Sequence, residues 1–207
     1  MSALSRRQIL ISGAFLWLFA VVGTTLVAFT EYSTGSAIAD NERRLLLRNL
    51  YALLPREKLD NDIATDTRRL PPSALLGTDT ETPVYRARQA GEPVAVVFNS
   101  IAPNGYSGRI HLLVGVYVDG SLAGVRVVKH AETPGLGDAV ELRKSPWIKS
   151  FDGKSLDDPQ ASGWAVKRDG GDFDQFTGAT ITPRAVVKAV HNTLLYYQQN
   201  ADMIFQQ

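Results

Sequence analysis

Residues Arg109–His130 read RIHLLVGVYVDGSLAGVRVVKH, and this stretch decides the fold class. Two β-rich runs, Arg109 to Val118 and Leu122 to His130, flank Asp119-Gly120-Ser121. Asp-Gly between such runs is a strong hairpin signal, because both central positions of the favoured turn need φ > 0. Ile110, Leu112, Val114, Val116 and Val118 point one way, and Leu113, Gly115 and Tyr117 the other. Both sets are apolar or small, so both faces of the sheet are expected to be covered. The adjacent run PVAVVF, Pro93–Phe98, reads as another strand, and GWAVKR, Gly163–Arg168, as a candidate for one more.

Helical periodicity brackets these strands. The clearest case follows residues 172–180. Thr182 is expected at the N-cap with Pro183 at the first helical position, where its missing N–H costs nothing. Ala185, Val186, Ala189, Val190, Leu194 and Tyr197 then form an apolar stripe, with Arg184, Lys188 and His191 outside it. Upstream, Asn41–Leu54 places Leu46, Leu47, Leu50, Leu53 and Leu54 on one stripe, and Pro55 ends it. Lys58–Thr82 is polar, carries Pro71 and Pro72, and reads as a linker or loop. Helices around an antiparallel-rich sheet, with no βαβ rhythm, make the class α+β.

Ahead of all this, Ile9–Phe29 runs for 21 residues without a charge. At 1.5 Å per residue that is about 31 Å, the thickness of a bilayer's hydrocarbon core. A buried core helix does not suit a run apolar on every face. A cleaved signal peptide has the A-x-A at Ala37-Ile38-Ala39 in its favour, but too long an apolar region. SRRQIL, Ser5–Leu10, faintly resembles a twin-arginine export signal. An uncleaved single-pass anchor is favoured. Arg6 and Arg7 place the N-terminus in the cytoplasm and the body of the chain outside it, although Arg43, Arg44 and Arg48 weaken the asymmetry.

Composition narrows function. The 207 residues carry a net charge of +1 with no Lys/Arg stripe, which argues against a nucleic-acid binder. With no cysteine, the chain has no disulfide, iron–sulfur or thiolate–zinc chemistry of its own. His111, His130 and His191 fall on three elements with no metal-ligand spacing. No nucleophile elbow, phosphate-binding P-loop or dinucleotide fingerprint occurs. No catalytic residue and no metal site are therefore expected.

Two loops remain. HAETPGLGD, His130–Asp138, is either a plain turn or a place where Gly135 and Gly137 let backbone approach a flat ligand on both sides of Leu136, with Glu132 and Thr133 hydrogen-bonding. DFDQFTGATITPRAVVKAV, Asp172–Val190, gathers Thr177, Thr180 and Thr182 at a helix entrance. Such hydroxyls cap a helix, or meet an anion at its positive end. Asp174-x-x-Thr177-Gly178-Ala179-Thr180 is the rarer pattern, expected by average residue frequencies in on the order of one in a few thousand chains.

That pattern resembles the D-x-x-[ST]-G-A-T acceptor motif of proteins carrying covalently bound FMN. ETPGLG resembles the second signature of that domain, and the intervening SPWIKSFDGK is also similar to those proteins. The likeness covers about Tyr106–Tyr197. With the anchor and the short length, the chain resembles the G subunits of Rnf-type (Rsx-type) electron-transport complexes, which are related to the longer C subunits of sodium-pumping NADH:quinone oxidoreductases. The resemblance implies FMN joined through its phosphate to Thr180. It further implies that Asp174, Thr177, Gly178 and Ala179 are read by a flavin transferase, and that Glu132, Thr133, Gly135, Leu136 and Gly137 line the isoalloxazine or ribityl portion. Thr177 stands where serine is commoner.

The implied domains are a cytoplasmic N-terminus and anchor at 1–30, a helix and linker at 31–92, and a periplasmic covalent FMN domain at 93–207. The implied role is electron relay, not stand-alone catalysis, in the inner membrane beside integral-membrane and iron–sulfur or flavin subunits. The alternatives are an anchored FMN domain of another extracytoplasmic redox chain, and a non-redox assembly module.

Overall fold

The computed structural model describes residues 3–206, and the chain divides into two compact units, 1–45 and 46–207. The first consists of the greater part of a single helix, α1 (Ala3–Leu53). The apolar run sits inside α1 with Ile9, Leu16, Trp17, Phe19 and Phe29 all exposed, so nothing among the described residues covers it. The helix is long and apolar enough to cross a membrane. The separate helix expected from Asn41 is instead the end of α1. No glycine or proline interrupts residues 36–54, so backbone hydrogen bonding continues without a break.

In the second unit five antiparallel strands lie in sequence order: β1 (Thr67–Leu70), β2 (Thr82–Gln89), β3 (Glu92–Gly105), β4 (Gly108–Tyr117) and β5 (Leu122–Lys129). The hairpin at Asp119-Gly120 forms, but with positive φ at Gly120 (86°) and not at Asp119, whose Oδ1 instead accepts from Ser121 N–H at 2.9 Å. Two strands correct the linker expectation: β1 falls within it and β2 begins at its end, each mostly polar with only Leu70 in β1 and Val84, Tyr85 and Ala87 in β2 buried. The β2–β3 turn is Ala90-Gly91, both at positive φ (53° and 80°), a geometry that strains alanine and that signals itself weakly in sequence.

Both faces of the sheet are buried, as the alternation implies. One carries Val84, Val96, Phe98, Ile110, Leu112, Val114 and Val116 against α2 (Ile181–Phe205). The expected stripe of α2 is buried, and Phe98 meets Tyr196 and Tyr197 edge-on at 6.0 and 6.3 Å. The other face packs Ala87, Ala95, Val97 and Leu113 against Leu50 and Leu53 of α1, Leu54 just after it, and Ile63. Arg126 on β5 donates to Ala52 O at 2.9 Å, satisfying a carbonyl in the last turn of α1.

Between β5 and α2 the chain forms short 3-10 turns rather than a sixth strand. The strand expected at Gly163–Arg168 is replaced by turns at Ala161–Gly163 and Lys167–Asp169, and only Val166 makes an isolated bridge, to Phe173. Its apolar residues are buried sideways: Trp164 lies 5.3 Å from Phe173, while Phe151 stacks on Phe173 at 4.7 Å. These aromatics close the end of the core next to the α2 entrance.

Candidate functional site

A cleft of about 490 Å³ opens where four segments converge on the first turn of α2. The β3–β4 turn contributes Tyr106. The loop after β5 contributes Glu132, Thr133, Leu136 and Gly137, and the turn Lys167–Asp169 contributes Arg168. Gly178, Ala179 and Thr180 run into Ile181 and Thr182 of α2. Seven of the ten residues singled out from sequence thus meet around one space. Gly135, Asp174 and Thr177 stand just outside it.

The loop after β5 is held from within. Gly135 adopts φ 79°, and its N–H donates to Asp138 Oδ1 at 2.8 Å. Thr133 O accepts from Leu136 N–H at 3.1 Å and from Asp138 N–H at 3.4 Å. Glu132 is only 4% exposed. Its Oε1 accepts from Ser107 N–H at 2.9 Å and its Oε2 from the Thr182 hydroxyl, so one carboxylate ties the β3–β4 turn, the loop and α2 together. The glycines make room for it: a Cβ on Gly137 would lie 2.8 Å from Oε2, and one on Gly105 would lie 2.8 Å from Oε1. Gly137 is therefore required by Glu132 itself. The carboxylate also lies at the N-terminal end of α2, where the helix dipole favours negative charge.

A second carboxylate supports the first. Glu132 N–H donates to His130 Nδ1 at 3.0 Å, which leaves the ring proton on Nε2 to donate to Glu141 Oε1 at 2.8 Å. The hydrogen bond from Arg143, with help from His130, holds Glu141 down to about 2.

The acceptor segment is built differently. Trp147 Nε1–H donates to Asp174 O at 2.7 Å, and its ring meets Phe176 at 5.1 Å, edge to face. This is the role of the Trp-bearing stretch between the two motifs: it fixes the backbone before the turn. The Asp174 carboxylate pairs with Lys167 at 2.7 Å. Ala179 N–H then closes onto Phe176 O at 3.1 Å around Gly178, whose φ of 79° suits a residue without Cβ. Thr177 sits exposed at the outside of this turn.

The helix entrance departs from expectation. Thr180, not Thr182, is the N-cap residue; its backbone is helical and its side chain makes no capping bond. Thr182 lies fully buried one residue into α2, its hydroxyl committed to Glu132. As a residue inside the helix Thr182 does not cap it; its hydroxyl donates to the buried Glu132 carboxylate, a charge-assisted bond. Pro183 becomes the third helical residue, where its missing N–H is still one that the first turn leaves unpaired. Sequence reasoning also missed Tyr106 and Arg168. The two glycines flanking Tyr106-Ser107 are a turn signal that marks Tyr106, whereas nothing local marks Arg168.

Similarity to known proteins reaches both units of the chain. Residues 105–195 match the FMN-binding domain family, and residues 1–53 match the RnfG N-terminal region. The chain is 51% identical over 204 residues to the G subunit of the ion-translocating oxidoreductase complex of Pseudomonas aeruginosa (strain UCBPP-PA14), covering 99% of this chain and 95% of that one. The corresponding protein of Pseudoalteromonas atlantica is 50% identical over 94% of this chain and 90% of its own length. That of Shewanella baltica is 48% identical over 94% and 92%. The chain belongs to the family of G subunits of ion-translocating oxidoreductase complexes.

Proposed function

We propose that the cleft holds FMN joined through its phosphate to Thr180, and that the chain relays electrons as a membrane-anchored subunit of an Rnf-type ion-translocating oxidoreductase. The observation that carries this reading is the Thr180 hydroxyl, unused for capping, opening into a cleft at the N-terminus of a 25-residue helix. The N–H groups of Ile181 and Thr182 have no intrahelical acceptor and suit phosphate oxygens.

The residues present fit the group. A cleft of about 490 Å³ is within the range of small-molecule sites, roughly 300–1,000 Å³. Tyr106, Leu136 and Ile181 supply apolar walls of the kind a flat ring needs, and 68% of Tyr106 and 44% of Leu136 are exposed for it. Attachment is a transfer from FAD: Thr180 Oγ1 forms the new P–O bond as the pyrophosphate bond breaks and AMP leaves, with the hydroxyl proton passing to a flavin transferase. Exposure of Thr177 and of the Gly178 turn suits reading by such an enzyme. Bound FMN would supply the electron transfer. The chain's own residues bind, orient and keep the linkage against the helix end.

The same reading puts residues 1–30 in and before the inner membrane and the flavin-bearing unit in the periplasm, since Arg6 and Arg7 favour a cytoplasmic N-terminus. A tether is useful there, where a lost flavin is not readily replaced. Other membrane and iron–sulfur or flavin subunits of the complex are the redox partners. Co-expression with a flavin transferase, followed by in-gel flavin fluorescence of the denatured chain, tests the linkage. A dark band contradicts it.

A further inference from the structure

We infer that Arg168 is the cation that receives the phosphate bonded to Thr180, an assignment that rests on the covalent-flavin reading and extends it. The three residues of the turn Lys167–Asp169 are used in different ways. Lys167 pairs with Asp174 at the start of the acceptor motif, at 2.7 Å. Asp169 holds Arg184, on the first turn of α2, through two bonds of 2.6 and 2.8 Å. The outer residues therefore pin the turn to the acceptor segment on one side and to the helix on the other. Arg168 sits between them, its backbone N–H donating to Gln175 Oε1 at 3.2 Å, within the motif itself.

The Arg168 side chain is left for the cleft. Among the described residues its guanidinium makes no hydrogen bond or ion pair, and it is the one cation lining the cleft. Asp169 feels its charge but bonds Arg184 instead. The need for a cation follows from what else is there. Glu132 already holds a carboxylate at the same helix end, with both oxygens engaged. A phosphodiester brings a second negative charge to that end, and the N–H groups and dipole of one helix are then shared between two anions. A guanidinium lining the same cleft as Thr180 offsets the repulsion through its positive charge.

The test uses the full chain in detergent with a flavin transferase and FAD, following attachment over time by intact mass for the wild type and for the Arg168→Ala and Arg168→Lys variants. Arg168 is exposed, so Arg168→Ala is expected to keep the wild-type melting temperature. Attachment should slow about tenfold in Arg168→Ala, the loss expected when a hydrogen bond to a charged group is removed. Arg168→Lys should recover most of the rate, and raised salt should slow the wild type toward Arg168→Ala. An Arg168→Ala variant that attaches flavin as fast as the wild type overturns the assignment alone, as does Arg168→Lys behaving like Arg168→Ala. A wild-type chain that takes up no flavin removes the parent reading and this assignment with it.

Discussion

The loop at residues 130–141 and the segment at 172–182 face each other across the cleft, yet they are built on opposite plans. In the first, nearly every polar group is engaged internally: Glu132, Asp138, His130 and Glu141 all bond within the loop or to the elements it fastens. In the second, the backbone is fixed by Trp147 and Gly178, while the Thr177 and Thr180 side chains are left exposed or half-buried and uncommitted. Internal bonding and uncommitted hydroxyls are thus concentrated in different segments of the cleft. Both look like ligand loops as strings of letters, but Thr177 and Thr180 keep their hydroxyls uncommitted while Glu132, His130 and Glu141 are all engaged.

Substitutions separate the two plans, and the largest effect is expected at Glu132. Glu132→Ala leaves Ser107 N–H and the buried Thr182 hydroxyl unpaired, a cost of about 3 kcal/mol. For a unit of this size that lowers the melting temperature of the full chain by roughly 6–12 °C. Gly137→Ala comes next, because its methyl would crowd Glu132 and Thr182; about 1–3 kcal/mol is expected, measurable by the same thermal melt. A melt unchanged by either variant would mean that the carboxylate tie does not hold the loop.

Acid gives a smaller effect on the same loop. The Glu141 carboxyl is depressed to about 2 from an ordinary 4.5. A depressed carboxyl contributes stability that is fully present above its unfolded value and is lost as pH falls through the folded one. Stability should therefore decline between about 4.5 and about 2, and Glu141→Gln should flatten that part of the profile in melts taken across the range. On the acceptor side the folded state should hardly notice a change. Thr180→Val keeps the shape, removes a hydroxyl that caps nothing, and should alter stability by no more than about 0.5 kcal/mol.

Much of this molecule was legible in its sequence, for identifiable reasons. The Asp119-Gly120 hairpin, the two-sided apolar strands, the α2 stripe and the long apolar run each rest on local periodicity or turn chemistry. What escaped depended on contacts distant in sequence. Strand β1 is short and β2 is largely polar, and the Ala90-Gly91 turn joining β2 to β3 is a poor signal for the geometry it adopts. Thr182-Pro183 looked like a helix start until a carboxylate 50 residues away claimed the hydroxyl. Glu132 was legible as a member of the loop that lines the cleft, but its role as a tie was not. Nothing near Arg168 announces that its two neighbours are paired and it is not.

The central claim is that Thr180 carries the flavin. After co-expression with a flavin transferase, the tryptic peptide Asp169–Arg184 should be found heavier by FMN, with fragmentation placing the added mass on Thr180. In Thr180→Val the same peptide should appear unmodified, from a chain that melts like the wild type. An unmodified wild-type peptide, or flavin retained on Thr180→Val, would contradict the account.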